Sequence, residues 1–154
     1  MAVLGICVVP GAGAPRLHGV VVDGTYENPT VIDSFEVRTS STAPSEQAVD
    51  LARLLLAKLP GLNFDAAAIR IAGTTPVARR NKAAFSRAHA EGAILYVLRE
   101  HLNLPVAAGD PKALAKSASV ASAELVAKAK TLLNGKADAA LAAISKLPSS
   151  DMIA

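Results

Sequence analysis

Aromatic residues are scarce in this chain, which has no tryptophan, two tyrosines and three phenylalanines among 154 residues. Few planar side chains exist on which unpaired bases could stack. A single cysteine excludes an internal disulfide and a cysteine-based zinc centre, and it fits a reducing compartment. No basic leader precedes the apolar opening, and no apolar run nears the ~18 to 20 residues that a membrane helix needs. The expectation is a cytoplasmic protein.

What is abundant is small and aliphatic. About half of the residues are hydrophobic (51%), chiefly Ala, Val, Leu and Ile, which suit close packing of helices on a sheet. The length is enough to bury one continuous core without staples. We expect a single domain over residues 1–147 and a loose tail over residues 148–154. The net charge of +3 is unevenly spread. Residues 1–77 hold five Lys/Arg against seven Asp/Glu (−2), and residues 78–154 hold eleven against six (+5). A basic half can face phosphate, although a solvated helix surface also carries such charge.

The hydrophobic pattern predicts three strands first. Ala2–Val9 is apolar throughout, as a strand covered on both faces would be. Residues 17–22 follow a loop and end at the turn pair Asp23-Gly24, and residues 30–38 alternate. Short connections between them imply an antiparallel meander. A helix then starts at the signal Ser41-Thr42-Ala43-Pro44-Ser45-Glu46 and stops at Pro60-Gly61. A strand over residues 64–72 precedes a long helix over residues 78–103. The basic start of that helix carries Arg79, Arg80, Lys82 and Arg87, and its stretch Gly92–Leu98 is almost wholly apolar. Apolar character all round predicts burial on two sides, by the sheet and by a second copy of the chain. A short strand over residues 104–107 and two helices, over residues 120–133 and 136–147, complete the chain. This β-β-β-α-β-α-β-α-α order predicts a ribonuclease H-like α/β fold: a five-stranded mixed sheet flanked by helices.

Several segments, in order, resemble the RuvC-type Holliday junction resolvases. Val3-Leu4-Gly5-Ile6-Cys7 with Pro10-Gly11 is similar to that family's opening Ile-Leu-Gly-Ile-Asp-Pro-Gly strand. Arg87-Ala88-His89-Ala90-Glu91-Gly92-Ala93 resembles its Arg-Gly-bearing helix, and Leu104-Pro105-Val106 with Pro111-Lys112-Ala113-Leu114-Ala115-Lys116 resembles a later strand and Pro-x-x-Val-Lys-Lys segment. Ala137-Asp138-Ala139-Ala140-Leu141-Ala142 is similar to its final helix. The resemblance implies a nuclease in which clustered carboxylates hold two divalent metals around a phosphoryl displacement.

The acids are mostly missing. The first carboxylate position is Cys7, the second is Arg70, the third falls on Gly135, and Asp138 alone matches. A guanidinium at a ligand position repels a divalent cation and pairs more naturally with Asp138 or a phosphate. Asp23, Asp33 and Asp65 lie at strand ends with no spacing that converges them. The resemblance therefore implies a catalytically inactive RuvC-like domain, dimeric through residues 78–103. It would need no metal or other cofactor, and it would bind duplex or branched DNA through Arg79, Arg80, Lys82 and Arg87. Two alternatives stay open. One is a magnesium-dependent junction endonuclease with a rearranged site; the other is a protein-interaction module using small helix residues such as Ala83, Ala84, Ala88 and Ala90.

Other features read more plainly. Cys7 on a buried strand fits a small inert hydrophobe better than a reactive thiol. His89 and His101 stand too far apart to chelate one ion, and His18 is isolated from both. Gly11-Ala12-Gly13-Ala14-Pro15 lacks the Gly-Lys-Ser/Thr of a phosphate loop and reads as a strand connection.

Overall fold

The computed structural model of the protein describes residues 1–11, 13–73 and 82–153. Five strands form one sheet in the order β3-β2-β1-β4-β5. They are β1 Ala2–Val9, β2 Arg16–Gly24, β3 Pro29–Arg38, β4 Ala66–Arg70 and β5 Val106–Gly109. The first three pair antiparallel, whereas β4 and β5 are parallel to β1. The helices are α1 Pro44–Lys58, α2 Lys82–His101, α3 Pro111–Ser117, α4 Ser122–Leu132 and α5 Ala137–Ile144.

The central strand explains its own composition. Leu4, Ile6 and Val8 face a core made with α1 and α2, where Leu51, Leu55, Ile94 and Leu98 are buried. Val3 and Cys7 face the opposite core, built with α3, α4 and α5 around Leu125, Ala140 and Ile144. A strand covered on both sides has no solvent face for polar residues, hence its continuous apolar run. Gly5 lets α5 lie directly on β1. A methyl there would strike the Ala139 carbonyl and stand 2.6 Å from the Ala143 nitrogen. Through this approach Asp138, in the first turn of α5, is held over the sheet.

Two elements, β5 and α3, differ from the pattern's reading. β5 lies two residues later than expected at both ends, at Val106–Gly109. α3 forms where no separate helix was expected: Asp110 caps it by accepting from the Ala113 amide at 2.8 Å, and Pro111 opens its first turn. α2 is described from Lys82, so the expected start at residue 78, with Arg79 and Arg80, lies outside the described residues. The tail, expected to be loose, is tied to the β2–β3 turn over its described part. There Ser150 donates from its amide and hydroxyl to Glu27 at 2.8 and 2.7 Å, and the Tyr26 amide donates to the Pro148 carbonyl at 2.9 Å. Among the described residues no helix is long and apolar enough to cross a membrane.

Candidate functional site

Strand register alone assembles the centre of the site. At the C-terminal end of β1, Cys7 sits opposite His18 of β2 on one side and Arg70 of β4 on the other. Directly opposed residues share a face, so the three side chains form a row across the sheet. β3 extends the row, because Glu36 lies opposite His18 and Arg38 opposite Arg16. Glu36 accepts from Arg16 at 3.2 Å and Arg38 at 3.1 Å, and its Oε1 is 3.3 Å from His18 Nε2.

Two helices close over the row. From α5, the carboxylate of Asp138 stands 3.7 Å from Arg70 Nε. From α2, Arg87 turns inward, its Nη2 donating to Cys7 Sγ at 3.9 Å. One turn later Glu91 lies 3.4 Å from Arg87 Nε, and its Oε2 accepts from the Ala72 amide at 2.9 Å. Beyond the β4 register the chain is therefore fastened to α2 by a carboxylate only 7% exposed.

The electrostatics are those of a closed network of guanidinium and carboxylate. Burial pushes the Cys7 thiol up to about 11, with Asp138 adding to the rise and Arg87 and Arg70 opposing it. The thiol is protonated at neutral pH and is a poor nucleophile and a poor metal ligand. Burial likewise raises Glu91, and the Arg87 charge is the main force against that rise. The Nε atoms of both Arg70 and Arg87 are buried without a hydrogen-bond acceptor. Their neighbouring carboxylates lie within ion-pair range but out of hydrogen-bonding geometry. An unmet buried donor of this kind costs on the order of 1–3 kcal/mol.

Could this site seat the two metal ions that the resemblance implies? Magnesium prefers several hard oxygen ligands. Here the facing groups are a protonated thiol, two guanidinium ions, Glu91 committed to a backbone amide, and Asp138. Glu36 is taken up by Arg16, Arg38 and His18, and two further acids lie far from the centre. Asp23 pairs with the N-terminal amine at 3.1 Å, and Asp65 accepts from the Ala2 amide, both at the opposite end of β1. Among the described residues no three His, Cys, Asp or Glu side chains could hold a metal, and residues 12, 74–81 and 154 include none of these types. The donor set does not fit such a pair of ions. At Gly135, in the turn before α5, an added Cβ would meet open space, so the third acid is missing for want of the side chain rather than of room.

The structure sorts the residues chosen from sequence. Arg70 lies opposite Cys7 in the parallel register and faces Asp138 at 3.7 Å. Lys82, exposed at the start of α2, lines a cleft of about 330 Å³ with Gly11, Gln47 and Ser86. Arg87, expected on an open basic surface, is instead mostly buried against Cys7 and Glu91. Sequence reading missed Glu91 and the Arg16, His18, Glu36, Arg38 group. The signals were present: a four-residue Arg87 to Glu91 spacing, and charged residues two apart near strand ends.

This layout of sheet and helices has counterparts among solved structures. Thermus thermophilus RuvC is similar at 24% identity, covering 94% of this chain and 92% of that one, with a TM-score of 0.64. This chain has the RuvC-like, ribonuclease H-like fold. The same bacterial RuvC in complex with a Holliday junction substrate is similar with a TM-score of 0.66 at 23% identity, over 94% of this chain and 92% of that one. The yeast mitochondrial Holliday junction resolvase is similar at 0.59 and 15% identity, over 93% of this chain and 76% of that one. No family model matches the sequence, and no curated protein is similar to it in sequence.

Proposed function

We propose that this RuvC-like domain has no metal-dependent nuclease activity and binds duplex or branched DNA. The observation that carries this reading is Arg70. It holds a carboxylate position of the resolvase pattern, and it faces Asp138 across 3.7 Å. A fixed cation at the centre raises the cost of placing any divalent ion there. The same cation favours a phosphate. The Thermus RuvC structure solved with a Holliday junction substrate supports branched DNA as the ligand. The test uses the full chain with a synthetic four-way junction. We expect retention in EDTA that weakens steeply with salt, and no cleavage with Mg²⁺ or Mn²⁺. Magnesium-dependent cutting that Asp138→Asn abolishes would overturn the reading.

In this reading the domain binds DNA as a dimer through α2. Phe85, His89, Gly92 and Tyr96 recur at helical spacing along its outer face, all exposed, with Tyr96 at 66%. Beside them Val49, Leu56, Ala93 and Val97 line an apolar cleft between α1 and α2. Aromatic side chains open to water at both ends of one helix face support a second copy as the cover.

A further inference from the structure

We propose that Arg70 and Arg87 form a metal-free seat for one phosphate group of bound DNA, a seat that Asp138 occupies as an internal anion until DNA displaces it. The inference rests on the DNA-binding reading above and names the site within it.

Three observations converge. Arg87 contacts the Cys7 sulfur at 3.9 Å, and Arg70 lies opposite Cys7 in the parallel register with its charge acting on the same thiol, so the two cations gather at the end of β1. Both retain a buried Nε–H donor that makes no hydrogen bond among the described residues, although Glu91 lies 3.4 Å from that of Arg87. Uncommitted donors on two adjacent cations suit an oxyanion, because Arg–phosphate pairing uses Nε and Nη side by side. Finally, the two carboxylates are held unequally. Glu91 is buried and bonded to the Ala72 amide. Asp138 is 54% exposed and makes no hydrogen bond to Arg70 among the described residues. Asp138 is the one free to leave.

Charge accounting fits a phosphodiester. With the thiol protonated, Arg70, Arg87, Glu91 and Asp138 sum to zero. Once Asp138 swings into solvent the seat carries +1, which matches the single negative charge of a backbone phosphate. An open seat would thus hold DNA where the resolvase pattern would hold metal, without the ions.

The experiment follows the arginine side-chain Nε–Hε signals of the full chain by ¹H–¹⁵N NMR in EDTA. Arg70→Lys and Arg87→Lys variants assign the signals, and their backbone amide spectra verify the fold. Inorganic phosphate at fixed ionic strength is the first probe, and a four-way DNA junction is the second. Both should shift the Arg70 and Arg87 signals saturably, with chloride leaving them in place. In parallel, Arg70→Gln should weaken junction binding in EDTA by roughly ten- to a hundredfold. It should also lower the salt slope by about one. Asp138→Asn should strengthen binding roughly two- to fivefold, since a partly exposed ion pair is a weak competitor. Shifts with phosphate but no junction binding would keep the seat and overturn the DNA reading. Junction binding with unmoved Nε signals, or with Arg70→Gln binding as tightly as the parent, would overturn the seat and leave the DNA reading standing.

Discussion

At the residue scale the site differs from the resolvase pattern it resembles at three positions: a thiol at Cys7, a guanidinium at Arg70 and no side chain at Gly135. Because burial pushes Cys7 up to about 11, its thiolate fraction at pH 8 is small. Mass spectrometry should show iodoacetamide alkylating it slowly in the folded protein and quickly in denaturant; rapid alkylation of the folded chain would contradict this. These differences also predict a reversal. Cys7→Asp, Arg70→Glu and Gly135→Asp together add three acids around Asp138, and the space at Gly135 is open. Calorimetry should detect Mn²⁺ binding in that triple variant; if none appears, side-chain identity is not what excludes the metal. Much of this was legible in the sequence. The resemblance made Cys7 and Arg70 two positions of one carboxylate cluster, so their proximity could be anticipated, whereas the register that pairs them came from the structure. For Arg87 and Glu91 the four-residue spacing allowed a pair but not its inward turn, because packing against the sheet sets a helix's rotation. In a basic, alanine-rich stretch such as this, the sequence does not mark which cations face in.

At the scale of elements, the approach of α5 to β1 positions Asp138. Gly5 permits that approach, and a methyl at this position meets the α5 backbone, which cannot yield as a flexible side chain can. Gly5→Ala should therefore lower stability by about 1–3 kcal/mol in chemical denaturation. An unchanged midpoint would mean that α5 has room to move. Legibility again depended on pattern length. The meander β1–β3 announced itself through long runs, alternation and the Asp23-Gly24 turn. β5 did not, since Val106–Gly109 offers four residues with two alanines and a glycine, too little contrast to fix its ends. α3 escaped for a related reason: seven residues with only Leu114 and Ala115 buried make no readable stripe. Its cap, Asp110 before Pro111, was the stronger signal.

At the scale of the whole molecule, two contacts set what is exposed. The Glu27 carboxylate is lowered from 4.5 to about 2, chiefly by the Ser150 hydroxyl. A lowered acid stabilises the folded state above its unfolded value, and that contribution is lost as pH falls through the folded one. The tail tether should hold above pH ~4.5 and release toward pH ~2. Amide exchange at Ser150 should rise across that window, and Glu27→Gln should release the tail at neutral pH; exchange that ignores both changes would show another anchor. For the proposed dimer through the outer face of α2, Tyr96→Glu should convert dimer to monomer in sedimentation velocity, and an unaltered sedimentation coefficient would overturn that contact. The most direct test of the account is Mn²⁺ titration of the unmodified protein, read as paramagnetic broadening of backbone amides. A centre occupied by guanidinium should leave Cys7, Arg70 and Asp138 no broader than remote surface residues. Saturable broadening at those three positions, at micromolar Mn²⁺ and competed by Mg²⁺, would contradict it.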